Sequence, residues 1–378
     1  MKASVNDIPS RQNTAGHAPG PGLFGIELTG SRILDAFLLF APLAIALDAW
    51  GEAPLWVFIF AAVGLVPLAA VLGTATDDLA MQMGPLAAGI IQATLGNASE
   101  LILALVALRA GLIEVVQASL TGSIISNLLL VLGAAMLFGG LKYERQNFNR
   151  TVAASNTTTL FLAAVGLIVP AVFVLTAYGD LRANHPGVES LSLWTSAILI
   201  LVYVASLFFQ FRATQRDHQR TALDPRRLRK AAWLLLLSVV LIAVLSELLV
   251  QELHLAQSVF HGTDLFWGGV VFALIGNAAE HGVAVIAARH NKMDLAMAIG
   301  VGSSLQIALL LAPAMVFVSL LMGHPMSLVF SGIEVLAVVL STIMVGMVAS
   351  DGETTWLEGA QLIAVYAILV AGFYYVPL

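Results

Sequence analysis

Two short acidic motifs stand in a chain that is otherwise poor in charge. Gly96-Asn97-Ala98-Ser99-Glu100 and Gly276-Asn277-Ala278-Ala279-Glu280 share four of five residues and lie 180 positions apart. An asparagine one helical turn before each glutamate puts an amide and a carboxylate on one helix face. Gly96 and Gly276 at the heads of the motifs permit close helix approach, or local unwinding that frees backbone carbonyls. Carboxylates, amides and carbonyls make an all-oxygen donor set. The chain has no cysteine, so thiolate ligands, thiol nucleophiles and disulfides are excluded. Such a set suits hard cations, Ca²⁺ first, which takes roughly six to eight oxygens. Without a metal, two facing carboxylates in a low-dielectric setting repel one another and hold protons instead. Metal and protons then compete for the same oxygens, and exchange requires no separate proton site.

The same register carries a second ring of candidates. Gly122-Ser123 recurs as Gly302-Ser303, again 180 positions on. Ser123, Ser126 and Asn127 on one side, and Ser303, Ser304 and Gln306 on the other, are the expected further oxygens. The competing reading is ordinary small-residue helix packing. His281 follows Glu280 where Leu101 follows Glu100, so it has no counterpart. It fits proton release and equally a structural hydrogen bond. Gln92 lines the same face as Glu100, as a pathway residue or a helix–helix hydrogen bond. Asp77 and Asp78 read as solvated loop charges at the inner end of the second span. Glu334, several residues into span ten, and Glu247, near the outer end of span seven, read as acids served by snorkelling or an entry vestibule.

These residues need helices in lipid to position them. Of 378 residues, 59% are hydrophobic and 11% charged, against about 25% charged in soluble domains. A membrane-spanning helix takes about 20 apolar residues. Apolar runs bounded by charges, Pro or Gly predict eleven spans, at 33–49, 55–73, 86–108, 117–140, 152–176, 192–212, 231–250, 266–289, 294–322, 327–349 and 357–376. The 294–322 run is expected to bend or break near Gly302 and Pro313. With the N-terminus inside, 15 of the 17 Lys and Arg fall on the cytoplasmic side; Arg109 and Arg182 are the exceptions. That asymmetry supports eleven spans with the C-terminus outside. Glu100 and Glu280 then lie near the middle of spans three and eight, where a charge costs at least about 2.5–3.5 kcal/mol and marks a functional site. Span three runs outward and span eight inward, so the halves are inverted copies, and an ion site is expected where they meet. The domain reading is a cytoplasmic tail (1–32), an extra first helix (33–54), a first repeat (55–212), a basic cytoplasmic linker (213–230) and a second repeat (231–378).

At these motifs the chain resembles the Ca²⁺/H⁺ antiporters, the cation-exchanger branch of the Ca²⁺/cation antiporter superfamily. The resemblance rests on Gly96–Ile102, Ser119–Gly133, Gly276–His281 and Gly302–Ile307, with Asp351-Gly352 and Trp356–Gly359 near the end. It implies an all-α fold of eleven helices with the first outside the repeats, Glu100 and Glu280 as central Ca²⁺ ligands, and proton-driven export. The basic 213–230 segment stands where an acidic cluster is often found. The short tail is read as prokaryotic, which puts the protein in an inner (cell) membrane. The expected partners are Ca²⁺, H⁺ and membrane lipid, with no nucleic acid, no enzyme activity and no cofactor, Ca²⁺ being substrate; a homo-oligomer is left open. The alternative is a Na⁺-coupled or Mn²⁺-transporting exchanger. A membrane hydrolase is disfavoured because no His-Glu-x-x-His or paired catalytic motif occurs. A channel is disfavoured because it gives no reason for inverted carboxylates that trap protons.

Overall fold

The computed structural model describes residues 32–51, 53–83, 85–180, 185–214 and 224–375. The tail (1–31), Arg182, the middle of the basic linker (215–223) and the last three residues lie outside the described residues. The rest is almost wholly helical. In chain order the helices are α1 (Arg32–Phe37), α2 (Phe40–Trp50), α3 (Pro54–Met81), α4 (Pro85–Leu95), α5 (Ala98–Arg109), α6 (Ile113–Ile125), α7 (Leu132–Gly140), α8 (Arg150–Tyr178), α9 (Val188–Thr214), α10 (Pro225–Gln251), α11 (Leu253–Phe260), α12 (Asp264–Phe266), α13 (Ala273–Gly276), α14 (Ala278–Arg289), α15 (Met293–Gln306), α16 (Ala312–Leu321), α17 (Gly332–Val348) and α18 (Trp356–Tyr375). π-Helical segments Ser126–Val131, Trp267–Phe272 and Ile307–Leu311 join α6 to α7, α12 to α13 and α15 to α16.

Seven continuous helices among the described residues are long and apolar enough to cross a membrane, and two bent pairs pass the same test. The 28 residues of α3 reach about 42 Å at 1.5 Å each, more than the roughly 30 Å of hydrocarbon. The exposed faces of α8 and α9 are largely apolar: Val165, Val172, Trp194, Leu201 and Phe208 all point outward. Helix starts are fixed locally. Asn149 accepts from the Thr151 and Val152 amides to cap α8, and Asp224 accepts from Arg226 to cap α10. Ser331 and Glu334 form a reciprocal capping box on α17.

Several boundaries differ from the sequence reading. α3 continues to Met81, so Asp77 and Asp78 sit on a helix rather than in a loop. The first run, 33–49, is two pieces, α1 and α2, with a turn at Leu38-Leu39. The 294–322 run neither breaks nor splits: Met293–Leu321 crosses as one 29-residue span. Pro313, which lacks an N–H, is absorbed at the start of α16 directly after a π segment. Span ten starts at Gly332, after an irregular but buried stretch at Met326–Phe330. The short α11 was not foreseen; with Asp264–Gly276 it makes a 111° bend.

The internal register is preserved in backbone conformation. The helix interruptions at Asn97 and Asn277 are 180 residues apart, as are the left-handed residues Gly111 (φ 77°) and Asn291 (φ 58°). The starts of α6 and α15, Ile113 and Met293, keep the same offset. The halves interlock through small residues. A side chain on Gly122 would run into the backbone of Gly269, and one on Gly268 into Val115. α6 and the Trp267–Phe272 segment therefore touch backbone to backbone. α3 packs along α10, α7 along both α14 and α18. One two-residue ladder joins β1 (Gln146–Asn147) to β2 (Glu353–Thr354), antiparallel.

Candidate functional site

Each acidic motif sits where its helix is interrupted. α4 and α5 meet at a 44° bend, and Asn97 leaves helical geometry there (φ −110°, ψ 37°). Asn277 does the same between α13 and α14 (φ −91°, ψ 5°). Glu100 and Glu280 fall in the first turns of the helices that restart, α5 and α14. Negative charge is favoured at that end by the free N–H groups and the helix dipole.

The two motifs face one another. Glu100 is 5% exposed, and its Cγ would lie 3.0 Å from a Cβ placed on Gly276. Glycine at 276 is thus what lets the Glu100 side chain lie against the head of the other motif. Ser99 Oγ reaches both Glu100 Oε2 and the Gly276 carbonyl, each at 3.1 Å. Glu100 lies within the electrostatic reach of Glu280, and Ser303 and Asn127 approach the Glu280 carboxylate. No Lys or Arg among the described residues pairs with either acid.

The second ring crosses between the halves. Asn277 Nδ2 donates to Ser123 Oγ at 2.8 Å and to the Ala273 carbonyl at 2.8 Å, and its Oδ1 accepts from Asn127 Nδ2 at 3.0 Å. Gln306 Oε1 lies 3.1 Å from where a Gly96 Cβ would stand, at the head of the first motif. Ser126 Oγ and His281 Nε2 are 3.3 Å apart. That contact holds the imidazole on α14 against the π segment that carries Asn127. Gly96, Glu100, Ser123, Ser126, Asn127, Gly276, Asn277, Glu280, His281, Ser303 and Gln306 therefore border one region, and Asn97, buried, stands at the break that follows Gly96. Ser304 is turned elsewhere: its hydroxyl donates to the Gly300 carbonyl at 2.8 Å and lies 3.4 Å from Ile124 O, as a packing serine would.

Several buried oxygens in this region lack a hydrogen-bond partner: Asn97 Oδ1, Asn127 Oδ1 and Glu280 Oε2. An unsatisfied buried polar group costs about 1–3 kcal/mol, more if charged, and a cation ligated by these atoms removes that cost. No group of three or more His, Cys, Asp or Glu able to hold a metal occurs among the described residues. The region offers two acids beside amides, hydroxyls and carbonyls, a donor set that suits Ca²⁺ and not zinc.

Outside this region, Gln92 and Asp77 lie together on an exposed face of α4 and α3. Glu334 is not a free vestibule acid. It is 4% exposed, and Thr121 Oγ1 (2.8 Å), Ser331 N (2.9 Å) and Ser331 Oγ (2.7 Å) all donate to it. Two residues escaped the sequence reading. Ser99 lies inside a motif, but its repeat partner is Ala279, so an argument from symmetry passed over it. Thr121 is one residue from Gly122-Ser123, yet only folding brings it to Glu334, 213 positions away.

Fold and site together define a polytopic helical membrane protein with an internal repeat and a buried cluster of oxygen-bearing side chains between its halves. A family model described as "Sodium/calcium exchanger protein" matches residues 53–212 and 230–375. A Synechocystis protein named Ca(2+)/H(+) antiporter is 42% identical over 372 residues, covering 92% of this chain and 99% of that one. Bacillus subtilis Ca(2+)/H(+) antiporter ChaA is 39% identical over 324 residues, 82% of this chain and 90% of its own. The native YfkE structure superposes with a TM-score of 0.79 at 36% identity, over 90% of this chain and all of that one. The H+/Ca2+ exchanger CAX structure has a TM-score of 0.70 at 14% identity over 90% of this chain and 91% of its own, a likeness of fold. The chain belongs to the sodium/calcium exchanger protein family.

Proposed function

We propose that the protein is a secondary antiporter that exchanges Ca²⁺ for H⁺ across a membrane, with Glu100 and Glu280 binding Ca²⁺ or protons in competition. One observation carries this reading: the Glu100 side chain lies against the head of the motif that bears Glu280, at paired helix breaks, and neither acid has a Lys or Arg partner among the described residues. Such a pair needs either a divalent cation or protons to be stable in a low-dielectric interior. Amide and hydroxyl oxygens of Asn97, Asn127, Ser123 and Ser303, with freed carbonyls, complete a Ca²⁺ shell. The names of the relatives agree with this cargo and this counter-ion.

Entry of Ca²⁺ from one face expels the protons from both glutamates. Rearrangement of the helices exposes the same oxygens to the other face, where protons displace the metal. Competition at one site couples the two fluxes, because two ionised carboxylates without a cation are not a low-energy buried state. Alternating access then acts about a fixed site between inverted repeats, residues 55–212 and 231–378, joined by the basic 213–230 linker. The accompanying topology has the N-terminus cytoplasmic and the C-terminus outside, in a prokaryotic cell membrane. His281, tethered to Ser126, is the third proton-coupling group.

The test is Ca²⁺ uptake into inside-out vesicles or proteoliposomes driven by a pH gradient without Na⁺. Wild type is expected to exchange, and Glu100→Gln and Glu280→Gln to insert normally and lose exchange. Uptake that needs Na⁺ instead would replace H⁺ as counter-ion, and normal pH-driven uptake by either variant would remove the two-glutamate site.

A further inference from the structure

The loop between α7 and α8 turns back over the inner end of the helix that carries Glu280. Gln146, fully buried on β1, donates its amide to the Ala288 carbonyl at 2.7 Å and to Asn291 Oδ1 at 3.2 Å. Lys142 Nζ donates to the Arg289 carbonyl at 2.9 Å, and the Asn149 amide to Asp294 Oδ1 at 2.6 Å. The Ala288 carbonyl, which also accepts from the Asn291 amide at 2.9 Å, and the Arg289 carbonyl, both at the end of α14, are thus held by one loop. That loop is itself anchored by the β1–β2 ladder and by Phe148 N to Gly352 O at 3.0 Å. Gly139 of α7 makes room for the Gln146 side chain, which a Cβ there would overlap.

The internal repeat supplies a comparison within the same molecule. The residue 180 positions before Asn291 is Gly111, and both are left-handed. Glycine is the least strained choice for that conformation at a helix end. The inner end of α14 instead uses asparagine, which tolerates the left-handed region and adds the Oδ1 that Gln146 grips. The residue equivalent to Gln146 is Met326, and the one equivalent to Gly139 is Ser319. There the outer loop is fastened to its own span, with Ser319 Oγ accepting from Met326 N at 2.8 Å. The outer loop is held besides by Gln117 Nε2, which donates to the Ser327 and Val329 carbonyls at 2.9 and 3.1 Å, whereas the inner loop hydrogen-bonds the end of the helix that bears Glu280.

We infer that Gln146 is a positioning residue for cation binding: with Asn291 it fixes the inner end of α14 and so sets where Glu280 stands relative to Asn127 and Ser303. Ala288 is eight residues from Glu280, about 12 Å along a rigid helix, so a loosened inner end displaces the carboxylate. This inference rests on the exchange reading above.

The experiment measures Ca²⁺ uptake against Ca²⁺ concentration in proteoliposomes, with hydrogen exchange of residues 278–289 as a readout independent of transport. Gln146→Met keeps length and burial but removes both donors. Asn291→Gly keeps the left-handed turn and removes only the acceptor. Losing one buried hydrogen bond shifts an equilibrium roughly fivefold to tenfold, and a less populated competent geometry raises the apparent KM by that factor. Gln146→Met is expected to raise the KM for Ca²⁺ about fivefold with Vmax within twofold, and to speed exchange in 278–289 but not in 98–109. Asn291→Gly should raise KM about twofold, and the double variant no further than Gln146→Met, because the two act through one contact. A KM unchanged in Gln146→Met, additive effects in the double variant, or unaltered exchange in 278–289 would overturn the inference. A wild type without pH-driven Ca²⁺ uptake would instead overturn the exchange reading and leave the hydrogen-exchange comparison standing.

Discussion

Adding one methyl group at Gly276 tests whether the carboxylate of Glu100 is positioned by the opposite motif. A Cβ at Gly276 would stand 3.0 Å from Glu100 Cγ, 3.6 Å from Cδ and 3.7 Å from Cα. Carbon atoms settle at about 3.5–4.0 Å, so Glu100 must retreat by roughly 0.5–1 Å. It cannot do so freely: it is 5% exposed, and Ser99 ties it to the Gly276 carbonyl. Ca²⁺–oxygen distances span only about 2.3–2.6 Å, so a shift of that size takes one ligand out of range. Overpacking of this kind costs about 1–3 kcal/mol, or roughly 5- to 150-fold in affinity. The helix itself should not suffer, because alanine is the better helix former by about 1 kcal/mol and Gly276 is not left-handed. The assay is the apparent KM for Ca²⁺ in pH-driven uptake, with protein quantity and melting point recorded. Gly302→Ala is the control, since a Cβ there meets nothing within 4 Å. A Gly276→Ala protein with KM within twofold of wild type would refute the reasoning, and equal damage from Gly302→Ala would refute the contrast.

Other outcomes follow from the same contacts. Gly122→Ala drives a methyl into the backbone of Gly269 and should lower the detergent melting point sharply, by the equivalent of about 3 kcal/mol, while its repeat counterpart Gly302→Ala melts like wild type. Thr121→Val removes a 2.8 Å hydrogen bond from the buried Glu334 and should destabilise by about 1–3 kcal/mol, measured by thermal melting, with a change in Ca²⁺ KM under twofold. Asn127→Leu leaves Asn277 Oδ1 without its donor and strips one oxygen from the site, and should weaken Ca²⁺ by at least the roughly fivefold of one hydrogen bond; unchanged uptake kinetics would count against a site bridging the halves. On the proposed competition of protons and Ca²⁺ for the same oxygens, lowering pH on the Ca²⁺-loading face should raise the apparent KM without lowering Vmax, and a fall in Vmax alone would indicate a separate proton site.

The amino-acid sequence alone determined the class of protein and the register of its halves. Apolar runs long enough for lipid demand spanning helices, and the 180-residue offset aligns Asn97 with Asn277 and Glu100 with Glu280 whatever the packing. The repeat register alone made Glu100 and Glu280 equivalent positions before any coordinates. Periodicity could not say which residues of the second ring touch. Ser303 and Ser304 are adjacent in sequence, yet Ser303 approaches Glu280 while Ser304 bonds its own helix. Gly122 and Gly302 occupy equivalent positions, yet one lies against a backbone and the other meets nothing within 4 Å.

Local chemistry misled where tertiary contacts overruled it. Asp77 and Asp78 looked like loop residues because charges usually end an apolar run, but α3 carries them one turn further to Met81. Pro313 looked like a break, but the preceding π segment accommodates its missing N–H. Glu334 looked solvated at a helix start, until folding closed Thr121 and Ser331 over it. Gln146 carried no signal, since its partners are 142 and 145 positions away. Sequence spacing specifies which face of a helix a residue occupies. What that face meets depends on how helices from distant parts of the chain are pressed together, and here that is decided by the small residues at their crossings.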